Sequence, residues 1–106
     1  MVVGDGFNAF SLSREFIIPE KFSLSPAYPN PFNPVTTLSF GIPIDSEVSI
    51  DIYNLHGRVI ESLVSRHMEV GYHSVIWDAN SYASGIYFVK MAAGEYVSTQ
   101  KLMLVK

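Results

Sequence analysis

The stretch VTTLSFGIPIDSEVSIDIYN, Val35 to Asn54, decides the fold class. Leu38, Phe40 and Ile42 fall on one side of an extended chain, and Thr37, Ser39 and Gly41 on the other. After Pro43 the alternation resumes. Val48, Ile50 and Ile52 point one way, and Glu47, Ser49, Asp51 and Tyr53 the other. A period of two with one apolar face marks half-buried strands of an antiparallel sheet.

The pattern extends downstream. NLHG places Gly57 where a hairpin turn needs positive φ. RVIESLVSRHMEV is the best helix candidate, but Val59, Leu63 and Arg66 do not form an apolar stripe. It reads as an edge strand followed by a loop. In YHSVIWD, His73, Val75 and Trp77 share a face. ANSYASG is a loop ending at Gly85, a second position for positive φ or close packing. IYFVKMA, the tight turn AGE and YVSTQKLMLVK complete the chain. About seven short strands separated by turn signals predict an all-β antiparallel sandwich. Leu38, Phe40, Val48, Ile50, Ile52, Val75, Trp77, Tyr87 and Val89 are its expected core.

Upstream of Val35 stands YPNPFNP: Tyr28, Pro29, Asn30, Pro31, Phe32, Asn33 and Pro34. Each proline fixes φ, removes a donor and keeps the preceding residue out of the helical region. The segment is therefore a stiff edge piece and not an interior strand. Tyr28 and Phe32 are expected to plug the end or edge of the core. Residues 1–20 read as a linker or the end of a preceding module, and residues 21–106 as the domain.

With 106 residues, 48% hydrophobic and 16% charged, the chain can bury one core. Its net charge of -3 offers no basic footprint for nucleic acid and no basic face for an anionic membrane. No apolar run spans a bilayer, so direct membrane insertion is not expected. Cysteine is absent, which excludes disulfides and thiolate chemistry. Met1 is not followed by a signal-peptide pattern, so the chain is either cytoplasmic or a piece of a longer exported protein.

Catalytic and metal motifs are missing. His56, His67 and His73 have no metal-ligand spacing. His56 suits a turn, His67 a solvated position, and His73 a packed face beside Trp77. Ser84-Gly85 lacks the nucleophile-elbow frame. The glycines form no phosphate cradle, and GDG at Gly4 to Gly6 has too few oxygen ligands nearby for calcium. Asp78 suits a turn cap. No cofactor, metal or enzymatic activity is expected. Tyr53, Tyr72, Tyr82 and Tyr96 leave a carbohydrate-binding surface as a minor alternative.

The order of motifs carries a resemblance. KFSLSPAYPNPFNPVTTLSFGIP, VSIDIYNLHGRVIESLV, VGYHSVIWDANSYASGIYFVKM and AGEYVSTQKLMLVK closely resemble the type A C-terminal sorting domain of type IX secretion. That domain is related to the immunoglobulin-like domain of flagellar hook-capping proteins. The likeness runs from about Pro19 to Lys106. The family usually has a Gln-Asn pair before the tyrosine, where this chain has Pro26-Ala27.

The resemblance implies an immunoglobulin-like sandwich that serves as an address. A cargo fused N-terminally to it is exported through the periplasm. The domain meets the outer-membrane translocon, and the cargo reaches the cell surface or medium. A surface sortase then removes the domain by cleavage before about Tyr28. Lys101, Leu102, Leu104 and Lys106 match the family's signal strand. A last strand at a sheet edge exposes backbone groups for pairing. Equally, Leu102 and Leu104 suit the core, and the lysines suit edge protection. The alternative function is a non-catalytic spacer or assembly module, which could lie inside a longer chain. Free strand edges also leave self-association open.

Overall fold

The computed structural model of the protein describes residues 18–106. The expectation for residues 1–17 lies outside the described residues. Seven strands follow in order: β1 (Ser23–Leu24), β2 (Val35–Ile42), β3 (Ser46–Tyr53), β4 (Val59–Met68), β5 (Gly71–Asp78), β6 (Gly85–Ala93) and β7 (Tyr96–Leu104). All pairings between them are antiparallel. One sheet has the order β1-β2-β5 and the other β4-β3-β6-β7. The chain crosses between sheets after β2, β4 and β5, so the two layers are interlocked.

The alternating positions build the core as the sequence predicts. Leu38, Phe40, Ile42 and Trp77 come from the smaller sheet. Val48, Ile50, Ile52, Tyr87, Val89, Met91, Leu102 and Leu104 come from the larger. Of the nine expected core residues, only Val75 stays partly exposed, at the margin of the cluster. Trp77 is completely buried. Tyr87 lies near the start of β6, and its hydroxyl donates to the Ala83 carbonyl at 2.6 Å. This is the tyrosine corner of immunoglobulin-like sandwiches, where a phenol ties a strand to the loop that feeds it.

Gly57 has φ of 79°, in a turn closed by Asn54. The Asn54 carboxamide oxygen accepts from the amides of His56 and Arg58. Gly85 enters β6 with φ of 152°. Asp78 caps its turn by accepting from the Asn80 amide. His73 lies against the Phe40 ring, and its Nε2 is 2.8 Å from the Glu69 carbonyl.

Two sequence expectations need correction here. The segment read as strand plus loop is strand as far as Met68. Two register shifts against β3 let this irregular sequence keep pairing. Tyr28 does not plug the core, because it is 80% exposed. β1 pairs Leu24 with Phe40, and the Ser25 amide extends this register to Ser39. Tyr28 then exchanges two backbone bonds with Thr37, one step out of register. Directly paired residues share a face, so Tyr28 points outward with Thr37. Ala27 takes the buried place.

Phe32 behaves as expected and is buried, with its ring centroid 5.5 Å from that of Trp77. Farther upstream, Pro19 is also buried. A Cβ on Gly41 would lie 3.1 Å from Pro19 Cγ, from Ser23 Oγ and from the Tyr72 ring, so a larger residue there would have to push these side chains back by a few tenths of an ångström.

Candidate functional site

The distinctive construction joins the proline-rich segment to the last strand. Tyr28 is paired with β2 in the smaller sheet, whereas Phe32 bridges in parallel to Leu104 in the larger. Between these points the chain passes from one layer to the other. Thr36, a fully buried polar residue, supports the crossing by donating its hydroxyl to the Pro29 carbonyl at 2.7 Å. The peptide bonds before Pro29, Pro31 and Pro34 are cis.

Residues Asn30 to Phe32 form a strap along β7. The Phe32 amide donates to the Met103 carbonyl, and the Val105 amide donates to the Phe32 carbonyl, each at 2.9 Å. Pro31 has no amide to donate, and the Asn30 side chain supplies the adjoining bonds. Its Nδ2 donates to the Lys101 carbonyl and its Oδ1 accepts from the Met103 amide. A carboxamide thereby imitates one residue of a paired strand. Gln100 acts in reverse, with Oε1 accepting from the Ala27 amide and Nε2 donating to the Ser25 carbonyl.

This arrangement corrects a further expectation. β7 is an edge strand by order, but its edge over Lys101–Val105 is already paired. Leu102 and Leu104 are core residues, while Lys101 is exposed and Met103 half exposed. Lys106 is tethered at the surface. Its amide donates to Ser84 Oγ, and its ammonium to the Asn80 carbonyl at 2.7 Å. In the folded domain the outward-facing groups of the predicted recognition strand are therefore Lys101, Met103, Val105 and Lys106.

Beneath the strap lies an aromatic cluster of Phe32, Trp77, Tyr82 and Tyr87. Glu61 of β4 closes it from the other side. Its Oε1 accepts from the Trp77 indole at 3.1 Å and from the Tyr82 phenol at 3.0 Å. Burial pushes the Tyr82 phenol above its ordinary pKa, and the hydrogen bond to Glu61 and its charge push the same way.

Gln100, Thr36 and Glu61 were not singled out by sequence reasoning, and Asn30 was named only as a member of the proline-rich motif. Gln100 carried a readable signal, because it shares the inward alternation of Leu102 and Leu104. The motif did not show the partners of the Asn30 side chain, since they lie more than seventy residues away.

The profile of a known family, the secretion system C-terminal sorting domain, matches residues 26–106. The chain belongs to this family. No curated protein and no solved structure is detectably similar to the chain. The sorting-domain match begins at Pro26, beside the strap, and covers every strand from β2 to β7. Membership carries a role in type IX secretion, in which an attached cargo passes the outer membrane to the cell surface or medium.

Among the described residues of the sorting domain, no group of His, Asp and Glu is placed to hold a metal. Among the described residues no helix is long and apolar enough to cross a membrane. The tyrosines considered for sugar binding are dispersed. Tyr82 is engaged with Glu61, Tyr96 stacks on Phe22, and Tyr72 packs beside Gly41. Tyr53 borders an open depression of about 310 Å³ with Leu55, Phe88 and Lys90.

Proposed function

We propose that this domain is a non-catalytic export address that the outer-membrane translocon reads in its folded form. The family match over residues 26–106 carries this reading. The strap supports the folded form. Leu102 and Leu104 are buried and the β7 backbone is paired, so the groups offered to a receptor are Lys101, Met103, Val105 and Lys106. A surface sortase then separates cargo from domain by cutting before about Tyr28.

The test is a fusion of the chain to a periplasmically exported reporter in a host with a type IX system. The reporter reaches the surface or medium, and its new end maps upstream of Tyr28. Lys101→Ala combined with Lys106→Ala leaves the core intact and lowers export. Retention of the unaltered fusion in the periplasm of a competent host defeats the address reading in favour of a spacer. Undiminished export of the folded double variant removes the lysines from the recognised surface.

A further inference from the structure

Among the described residues three long edge strands bound the sandwich, and β5 is the one that no other segment of them guards. β4 has two register shifts and carries Glu61, Arg66 and His67. β7 has the strap. β5 pairs with β2 without a register shift over eight residues, and among them only Asp78, at its end, is a carboxylate or a strong base. It has no proline and no lysine, the usual devices that keep an edge from pairing.

The directions of its backbone groups follow from neighbouring bonds. The Ala79 amide donates to the Pro34 carbonyl, one step beyond the Val35–Asp78 pair. On the far side of β2, Ser39 and Thr37 spend their backbone groups on Ser25 and Tyr28. Hydrogen-bonded and non-bonded pairs alternate in an antiparallel ladder. Gly71, His73, Val75 and Trp77 therefore turn their backbone toward β2. Tyr72, Ser74, Ile76 and Asp78 turn theirs to the open edge. Among the described residues nothing in the chain pairs with those outward groups.

We propose that this edge is a homodimer interface, in which β5 pairs antiparallel with β5 of a second copy about a two-fold axis at Ser74. The register is set by the side chains. Centring on Ser74 puts Tyr72 opposite the second copy's Ile76, and Ile76 opposite its Tyr72. All of these are positions with outward backbone groups, so the ladder continues through them. Tyr72 is 60% exposed and Ile76 62%, and aromatic–β-branched pairs are favoured across strands. Shifting the axis one step toward the end of the strand sets Tyr72 opposite Asp78 and loses both pairs. On the outer face Tyr28, Thr37 and Ile76 already form one row, and the second copy's Tyr72 extends it. The product is a single sheet running through both molecules, closed by an isologous contact.

The chain has no cysteine, so Ser74→Cys introduces a lone thiol at the proposed axis. Facing hydrogen-bonded residues have Cα atoms about 5.5 Å apart, within disulfide reach. Mild oxidation is expected to give a cross-linked dimer from Ser74→Cys and little from Thr99→Cys on β7. Sedimentation of the unaltered chain is expected to show a concentration-dependent dimer. Ile76→Lys, at an exposed position, weakens it about tenfold or more by replacing two apolar pairs with charge. A monomer persisting to about 1 mM overturns the proposal. So does a dimer indifferent to Ile76→Lys, or cross-linking that favours Thr99→Cys. Should Ile76→Lys fail to fold, the cross-linking pair decides alone.

Discussion

The two edges of the larger sheet are closed by opposite means. β4 is protected by its own sequence: register shifts distort it, and charged side chains occupy it. β7 is regular and amphipathic, and its protection comes from residues seventy positions earlier in the chain. A local device can be read from local sequence. A borrowed one cannot, because it depends on where the fold carries the lender. The contrast also separates two kinds of fragility. β4 can be weakened only by altering β4 or its partner, whereas β7 can be uncovered by a change in the strap alone.

Trp77 is where both protections meet, since it touches Phe32 of the strap and donates to Glu61 of β4. Trp77→Ala is expected to cost about 3–5 kcal/mol, from the cavity and the lost inter-sheet bond. Denaturant titration checks it, and a loss below about 1 kcal/mol would place the indole outside the energetic core.

Asn30→Ala tests the borrowed edge. Two bonds to β7 are lost at an exposed site, so stability falls by about 1 kcal/mol. The sharper readout is amide exchange, which should quicken at Met103 and leave Val64 in β4 unchanged. Equal quickening in both strands would mean that the strap stabilises the whole sandwich and does not guard one edge.

Glu47 of β3 and His67 of β4 face each other at 3.4 Å, with most of both side chains in solvent. Glu47→Gln should alter stability by less than about 0.5 kcal/mol, because exposed ion pairs contribute little. A larger loss would show that the cross-strand contact between Glu47 and His67 stabilises the fold.

The smallest effect is at high pH. The Tyr82 phenol is raised in the folded state, so the native protein holds that proton longer than the unfolded chain. Its contribution is fully present below the unfolded value of about 10 and disappears as pH rises through the folded one. Glu61→Gln removes the charge that assists the shift, so tyrosinate absorbance should develop at lower pH.

The strands and most of the core were legible because alternation is a local code. Leu38, Phe40, Val48, Ile50 and Ile52 are buried where a period of two puts them. Tyr28 was misread because a one-step register change reverses every side chain beyond it, and no residue type between Ser25 and Tyr28 announces the change. The family motifs identified the domain, and the stiff proline-rich segment pointed to Phe32 as a core plug. They did not disclose that Asn30 and Gln100 complete the ladder with their side chains. Those amides acquire meaning only when β7 arrives beside the prolines.

The parallel bridge between Phe32 and Leu104 has a mechanical consequence. The strap and the end of β7 run the same way, so tension between the upstream chain and Lys106 pulls them in opposite directions along their shared axis. Their backbone and side-chain bonds are then loaded together in shear, where a hairpin pulled from its two ends would open bond by bond. Tension applied between the upstream chain and Lys106 therefore falls along this clasp rather than across it.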